Sequence, residues 1–323
     1  MRPIEATHRH GGNDGRLLIM GIAPRKTILA LVAPPSSKLA ISLLKGPLIG
    51  AEKAGVFYVL NIVVDDEDHR LFDALRQVIA LGWQPGQKLT SKGDVVPYRN
   101  QNAGGYTLEA LLGILPNGLP GPDMLGWEVK GHGGDRITLM TPEPDGGMYV
   151  HNGLRAFLER YGRKSDKDTL YFTGSHRYRV RSNLTGLTLR IAGYAPERGK
   201  IESPDGAIQL VDDNDTVTAS WSFARLIELW AKKHSKAVFI SFTKRQAPDG
   251  SPEFRFSPTI QTGRGTDFLL FLRSFAHLSV FYDPGCRIRG FESPKPEQKK
   301  RNQFRISASA LSDLYHSFEN LEL

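Results

Sequence analysis

The sequence is poor in cysteine, with Cys286 as the only one among 323 residues. A single thiol cannot close an internal disulfide, which excludes the disulfide-stabilised secreted folds and is typical of a reducing compartment. Apolar runs of about eighteen residues, the length that crosses a bilayer, are missing as well. The segment Met1–His8 lacks the apolar core of a signal peptide. We therefore expect a cytoplasmic protein with no membrane-spanning segment.

Internal repeats and long low-complexity tracts are also missing, which excludes solenoid arrays and extended disordered tails. The composition that remains is that of an ordinary globular chain, with 40% hydrophobic and 24% charged residues. A chain of 323 residues can form one large α/β domain and a smaller module beside it.

Positive charge is in excess, with a formal net charge of +8. Such an excess attracts polyanions, and nucleic acid is the most common of these in the cytoplasm. One basic set lies between Gly285 and Arg305, and a second, interleaved with aromatic residues, lies between Arg155 and Arg181. Either set alone is more typical of a solvated surface than of a phosphate-binding track. Two such sets in one chain favour a nucleic-acid partner.

The spacing of apolar residues predicts a mixed α/β fold, in which strands and helices alternate along the chain. Short β-branched runs at Ile28–Ala33 and Val56–Val64 predict strands, and Asp66–Leu81 has the spacing of an amphipathic helix. Further along, Met124–Lys130 and Arg136–Met140 predict a pair of strands joined by a glycine-rich turn.

Two domains are predicted, divided at the polar stretch Gly86–Asp94. Residues 1–94 would form a small α/β or β-rich N-terminal domain, and residues 95–323 the larger domain. The role of the N-terminal domain stays open between accessory DNA binding, partner binding and stabilisation. A closing helix is predicted at Ser309–Phe318, with Ser309 as its cap.

The pattern with chemical content is Asp123, Glu128 and Lys130, spaced as D-x4-E-x-K. In a strand, alternate side chains share a face, so Glu128 and Lys130 point the same way. Pro122 and Gly126 permit a bend that turns the Asp123 carboxylate toward Glu128. Two neighbouring carboxylates repel unless a cation lies between them, and Mg²⁺ prefers such oxygen ligands. A lysine beside them can position the attacking water and neutralise charge on a phosphate, as phosphodiester hydrolysis requires.

The alternative interpretation of the triplet is an exposed strand with a charged outer face and an apolar inner face. The spacing also occurs by chance in unrelated proteins. The triplet alone therefore does not establish a nuclease, and the blocks around it decide the interpretation.

Those blocks resemble the MvaI/BcnI group of restriction endonucleases, relatives of the mismatch-repair nickase MutH within the PD-(D/E)XK nuclease superfamily. The resemblance rests on Thr107-Leu108-Glu109, Pro116-Asn117-Gly118, the Asp123–Lys130 strand, Ile137–Thr141, Asn302–Ile306, and Leu311 with Leu314-Tyr315. It covers roughly residues 100 to 320. It implies a PD-(D/E)XK nuclease core, MutH-like, with a mixed sheet flanked by helices, formed by a catalytic lobe and a DNA-recognition lobe that close on double-stranded DNA as a monomer.

The resemblance also implies roles for the site residues. Asp123 and Glu128 would bind Mg²⁺, for which Mn²⁺ can substitute, and Lys130 would position the water. Glu109 would be an auxiliary catalytic carboxylate, the alternative being an exposed helix residue. His132 either reaches the site or a phosphate, or belongs to a plain turn.

DNA contacts require basic and amide side chains at phosphates and base edges. Each candidate is more typical of a solvated or phosphate-contacting residue than of a base reader. The candidates are His132, Arg177, Arg179, Arg181, Asn183, Lys236, Arg264, Arg287, Arg289 and Arg305.

The function predicted is a Mg²⁺-dependent, sequence-specific double-stranded DNA endonuclease of the type II restriction kind. A cognate DNA methyltransferase is the partner expected in the same system. Two alternatives stay open: a MutH-like strand-nicking endonuclease in DNA repair, and a catalytically inactive DNA-binding protein.

Overall fold

The structure, a computed structural model, describes residues 16–23, 27–38, 40–41, 51–54, 57–60, 67–115, 122–165, 168–233 and 235–323. The chain separates into two compact units, Met1–Asp65 and Asp66–Leu323. In the smaller unit, β1 (Leu17–Ala23) pairs antiparallel with β2 (Thr27–Ala33), and β3 (Ala51–Ala54) pairs antiparallel with β4 (Phe57–Leu60). The predicted strand Ile28–Ala33 is confirmed by β2. The predicted strand Val56–Val64 is described only over β4, and its other residues lie outside the described ranges.

The larger unit contains helices on both sides of its strands. These are α1 (Glu67–Ala80), α2 (Ala103–Leu111), α3 (Met148–His151), α4 (Gly153–Tyr161), α5 (Phe223–Lys233) and α6 (Phe268–Ala276), with 3-10 turns at Pro196–Arg198 and Ala308–Leu314. The predicted helix Asp66–Leu81 is confirmed by α1. Within the described ranges, none of the helices has the length and apolar character that crossing a membrane requires.

The strands of the larger unit are mostly short. In chain order they are β5 (Gln84–Pro85), β6 (Gln87–Leu89), β7 (Val95–Pro97), β8 (Glu128–His132), β9 (Arg136–Met140), β10 (Arg163–Ser165), β11 (Thr169–Thr173), β12 (Thr188–Ala192), β13 (Tyr194–Ala195), β14 (Lys200–Ile201), β15 (Ala207–Val211), β16 (Val217–Ser222), β17 (Lys236–Gln246), β18 (Pro252–Arg264), β19 (Val280–Tyr282), β20 (Gly285–Arg289), β21 (Glu297–Lys299), β22 (Phe304–Ser307) and β23 (Ser317–Glu322).

One mixed sheet positions the predicted site. Its strands lie in the order β23-β18-β17-β8, and β5 also pairs with β18. The pairing of β8 with β17 is parallel, whereas β17 with β18 and β18 with β23 are antiparallel. Smaller sheets join β10-β11-β20-β21, β12-β15-β16 and β19-β22-β9. The mixed α/β prediction is therefore confirmed.

The two faces of this mixed sheet belong to two different hydrophobic cores. On one face, Val129 of β8 and Val238 of β17 join a cluster with residues of α1 and α2. On the other face, Ala237 and Phe239 join the larger cluster that contains Tyr315. Because side chains alternate along a strand, Glu128 and Lys130 share the second face with Ala237 and Phe239.

The division between the units falls before α1, whereas the sequence predicted it at residues 94 and 95. Leu71 and Leu75 of α1 are fully buried in the same cluster as Trp127 and Val129. The backbone N–H of Gln87 donates to the Thr107 hydroxyl of α2 at 3.1 Å. The polar stretch Gly86–Asp94 is therefore folded against the larger unit, since a boundary needs few contacts and this segment makes several.

Two local predictions are wrong. β8 and β9 do not form a hairpin, because β8 pairs with β17 and β9 pairs with β22 in another sheet. The predicted helix Ser309–Phe318 is instead the 3-10 turn followed by β23. Phe318 packs on one core and Leu321 on the other. Contacts on opposite faces by residues three apart require a strand, because a helix would place them on one side.

Candidate active site

Glu128 and Lys130 lie on β8, which is an edge strand of the mixed sheet. The Lys130 ammonium donates to Oε1 of Glu128 at 2.7 Å. Glu128 is only 4% exposed. A carboxylate buried to this extent usually has a charged partner, and here Lys130 is that partner. The strand alternation that the sequence predicts is therefore present, but the pair is buried and does not form an exposed charged face.

Asp123 is held by a tight turn at Met124–Trp127. The N–H of Trp127 donates to the Met124 carbonyl at 2.8 Å, and the Asp123 N–H donates back to the Trp127 carbonyl at 2.9 Å. Leu125 and Gly126 have positive φ angles of 50° and 75°. This is the predicted bend, and glycine adopts such a conformation at little cost.

The turn brings the Asp123 carboxylate onto β8. Its Oδ2 accepts a hydrogen bond from the N–H of Val129 at 3.0 Å. Val129 lies between Glu128 and Lys130 in the strand, so the Asp123 carboxylate is held at the backbone between the other two members of the triplet.

Glu109 lies on α2 and faces the same space as the buried pair. A cavity of about 550 Å³ is lined by Asn102, Gly105, Tyr106, Glu109, Glu128, Lys130, Thr138, Leu139, Met140, Thr141 and Leu229. The structure therefore brings Glu109 together with Glu128 and Lys130, whereas Asp123 approaches through Val129 and lies outside this lining set. Burial raises the pKa of the Tyr106 hydroxyl, and the Glu109 carboxylate one helical turn away raises it further.

Small residues let α2 lie close to the strands. A Cβ added to Gly104 would lie 2.1 Å from the Phe242 ring, and one added to Gly131 would lie 3.2 Å from Leu108. Without side chains at these positions, α2 packs against β8 and places Glu109 at the cavity.

His132 belongs to a different cavity. It ends β8, and its Nδ1 lies 3.2 Å from the Gly134 carbonyl oxygen. It lines a separate space of about 610 Å³ together with Asp135, Ser241 and Arg255. Burial lowers the pKa of His132, against a smaller opposing effect of the Gly134 carbonyl. In the structure His132 contacts the turn at Gly134, and its contact with a phosphate stays a prediction.

Lys236 and Arg264 lie together beside β8. They are paired in register at the ends of β17 and β18, and both cations lie over the Trp127 ring. Asp68 of α1 joins them: it lies 3.5 Å from Lys236 and 2.8 Å from Arg264, and accepts from the Trp127 indole N–H at 2.8 Å. Burial would raise the pKa of Asp68, but the hydrogen bonds from Trp127 and Arg264 and the nearby positive charges hold it below its ordinary value.

The other predicted DNA-binding residues are distributed over the surface and mostly have partners. Two of them lie over aromatic rings: Arg177 over Phe281, where it also donates to the Leu278 carbonyl, and Arg179 over Tyr178. Arg181 makes a double hydrogen bond to Asp213. Arg287 and Arg289 pair with Glu297, and Arg305 pairs with Asp283 at 2.8 Å. Asn183 is exposed. They do not converge with Lys236 and Arg264 into one cluster in the described part of the chain.

A model of the MvaI/BcnI restriction endonuclease family matches residues 72–315 of the sequence. The chain belongs to this family. It is therefore a deoxyribonuclease of the restriction endonuclease type, and enzymes of this type generally use divalent metal ions. The resemblance found in the sequence is confirmed, and the match begins within α1, in agreement with the placement of that helix in the larger unit.

Solved structures of one family member are similar to the chain. The complex of restriction endonuclease MvaI with its cognate DNA substrate matches with 20% identity and a TM-score of 0.59, covering 79% of this chain and 98% of that one. MvaI in the absence of DNA matches with 17% identity and a TM-score of 0.42, covering 79% and 97%. At 20% identity, the match to the DNA complex shows a common fold alone. A comparison with curated protein sequences finds no match.

Two residues at or beside the candidate site, Tyr106 and Asp68, were missed by the sequence patterns. Tyr106 stands three positions before Glu109, a helical spacing that could have indicated it. Asp68 gave no such signal, because it is far from Trp127 in the chain. Among the described residues, no group of three or more histidine, cysteine, aspartate or glutamate side chains is arranged to hold a metal ion.

Proposed function

We propose that this protein is a Mg²⁺-dependent, sequence-specific endonuclease of double-stranded DNA with a PD-(D/E)XK active site of the MutH-like kind. The observation that carries the proposal is the buried Glu128–Lys130 pair facing a cavity shared with Glu109. Burial of a charged pair gives little net stability, so its presence favours a chemical role.

Asp123 and Glu128 are the residues that would hold the metal. Both supply carboxylate oxygens, the ligand type that Mg²⁺ prefers, and Mg²⁺ commonly takes only one or two carboxylates while retaining waters. Two carboxylates without a third protein ligand therefore fit this ion. When bound, the metal lowers the pKa of water and stabilises charge on the phosphate oxygens.

Lys130 positions the attacking water and balances charge on the phosphate. Its ammonium is held at Oε1 of Glu128, so it already lies at the wall of the cavity. With a cation on the Glu128 carboxylate, the Lys130 ammonium would be free to contact the scissile phosphate. Glu109, which lines the same cavity, is the auxiliary carboxylate that orients groups there.

DNA would be bound first through its phosphates. Lys236 and Arg264 are the strongest candidates, because they lie side by side, next to the catalytic strand, with the cationic groups partly exposed. The related MvaI was solved with its cognate DNA, which supports a duplex as the ligand here. His132, Arg177, Arg179, Arg181, Asn183, Arg287, Arg289 and Arg305 remain candidates for further contacts. A monomer and a cognate methyltransferase stay predictions.

The test is cleavage of supercoiled plasmid in Mg²⁺, with Asp123→Ala and, as a matched control, Asp205→Ala in an exposed turn. We expect discrete linear fragments from the wild type and the control, and none from Asp123→Ala. That variant should still bind DNA, because the change removes a metal ligand and no phosphate contact. Open circles alone from the wild type would favour a nickase. Cleavage by Asp123→Ala at the wild-type rate would refute the assignment, and inactivity of the wild type in both Mg²⁺ and Mn²⁺ would indicate an inactive DNA-binding protein.

A further inference from the structure

Tyr315 is a buried tyrosine whose hydroxyl has no visible role in the fold. It follows the 3-10 turn Ala308–Leu314 and is 6% exposed. Its hydroxyl oxygen is buried and, within the described part of the chain, has no hydrogen-bond partner. Buried hydroxyls are usually hydrogen-bonded, so one without a partner in a native core calls for an explanation.

The register of the mixed sheet places Tyr315 on the same face as Glu128. Gly263 of β18 is in register with Ala237 of β17, which is in register with Glu128 of β8. The three residues therefore form one row across the sheet, on one face. Neighbouring strands lie about 4.8 Å apart, so the row spans about 10 Å.

Two of the three residues in the row, Gly263 and Ala237, are of the two smallest types. Tyr315 fills the space above Gly263. A Cβ added to Gly263 would lie only 2.5 Å from Cδ2 of Tyr315. Phe239, the neighbour of Lys130 in register, is 6.1 Å away between ring centroids. Tyr315 therefore packs over the Gly263 end of the row and near Phe239, on the face of the sheet that also carries Glu128.

The Tyr315 hydroxyl is a hydrogen-bond donor throughout the range in which nucleases work. Burial raises its pKa, and the negative charge of the nearby Glu128 carboxylate raises it further. A protonated phenol beside a carboxylate can donate to it, and bonds to an ionised acceptor are stronger than neutral ones.

We infer that Tyr315 is a positioning residue for Glu128: its hydroxyl would donate to the Glu128 carboxylate when the metal is bound and hold it in the orientation that binds the metal. The inference rests on the proposed function, in which Glu128 is a metal ligand. In the structure, Oε1 of Glu128 is engaged by Lys130. Once Lys130 turns to the phosphate, the carboxylate loses that contact, and the Tyr315 hydroxyl becomes the donor that keeps it from rotating.

The test is the binding of Mn²⁺ to the full chain, measured by the electron paramagnetic resonance signal of the free ion. Tyr315→Phe removes the hydroxyl and keeps the ring. We expect the dissociation constant for Mn²⁺ to rise about tenfold, as the loss of a hydrogen bond to a charged group implies. The Mg²⁺ concentration that gives half-maximal cleavage should rise by the same factor, while kcat at saturating Mg²⁺ changes less than about twofold.

Tyr194→Phe is the matched control, because Tyr194 is a second buried tyrosine of the same core, on β13. It should leave Mn²⁺ binding unchanged. Gly263→Ala should reproduce the Tyr315→Phe defect, because the added methyl group displaces the ring. Thermal unfolding of each variant establishes that it is folded.

Glu128→Ala separates this inference from the proposed function. If Glu128→Ala abolishes Mn²⁺ binding and Tyr315→Phe leaves it at the wild-type value, the positioning role is overturned and the proposed function stands. If Glu128→Ala also binds Mn²⁺ normally, the proposed function itself fails.

Discussion

Replacing Lys130 by methionine should destabilise the larger unit by about 3 kcal/mol. Methionine keeps the apolar stem but removes the charge, 2.7 Å from Glu128, whose side chain is 5% exposed. At that distance and an effective dielectric constant of about 20, the attraction is roughly 6 kcal/mol before desolvation is subtracted. Removing one partner of a buried pair typically costs about 3 to 5 kcal/mol. The Lys130 side chain is itself 17% exposed, which places the expected cost near the lower bound.

Urea unfolding followed by tryptophan fluorescence measures this cost. The four tryptophans, Trp83, Trp127, Trp221 and Trp230, all belong to the unit Asp66–Leu323, so the signal reports that unit alone. With an m value of about 3 kcal/mol per molar urea, the midpoint should fall by about 1 M.

A double-mutant cycle identifies the cause. Glu128→Gln should cost about 1 kcal/mol, because Lys130 can turn toward water, and the double variant should be more stable than Lys130→Met alone. The expected coupling energy is about 2 kcal/mol. Additivity within about 0.5 kcal/mol would mean that the pair is not held in the buried geometry described here, and would refute the reasoning. Lys244→Met, an exposed position on β17, is the control and should leave the midpoint unchanged.

Two further predictions concern the surroundings of the triplet. Asp68→Asn should lower stability by about 1 to 2 kcal/mol at pH 7, because it weakens the bonds from Trp127 and Arg264. Since the folded-state pKa of Asp68 is depressed, its contribution is present above the unfolded pKa and is lost as the pH falls through the folded one. The urea midpoints of the wild type and Asp68→Asn should therefore converge below about pH 4. A difference that stays constant with pH would show that the Asp68 charge does not cause the stabilisation. Gly126→Ala should lower the free energy of unfolding by about 1 to 2 kcal/mol, because φ is 75° at this position. It should also slow single-turnover cleavage, because the turn holds Asp123, while DNA binding in a filter assay is unchanged. Cleavage at the wild-type rate would show that the turn does not position the carboxylate.

Local patterns predicted much of the candidate site. The alternation of Trp127 and Val129 with Glu128 and Lys130 assigns one pair to a core and the other to a common face, and the structure has this arrangement. Gly126 indicated the bend that holds Asp123. These predictions succeed because they depend on residues within a few positions of one another, where strand geometry and turn preferences decide.

Local patterns failed where a contact across the sheet decided the outcome. The run from Leu311 to Phe318 has helical spacing, yet Phe318 and Leu321 pack on opposite faces of the sheet, and the chain forms β23. Likewise β8 could have paired with β9 after a glycine-rich turn. The parallel pairing with β17 instead places Val129 in one core and Glu128 on the opposite face of the sheet.

The sequence by itself determined the charge balance, the family blocks and the triplet Asp123, Glu128 and Lys130. Their spacing is a local property, so it survives in any fold that contains the strand. The tertiary structure alone decided that Asp68 of α1 lies at Trp127, and that Tyr315 packs over Gly263, which shares a row of the sheet with Glu128. Asp68 and Tyr315 come from opposite ends of the unit, and only the order of strands in the sheet brings them to the two faces of β8 and its neighbours.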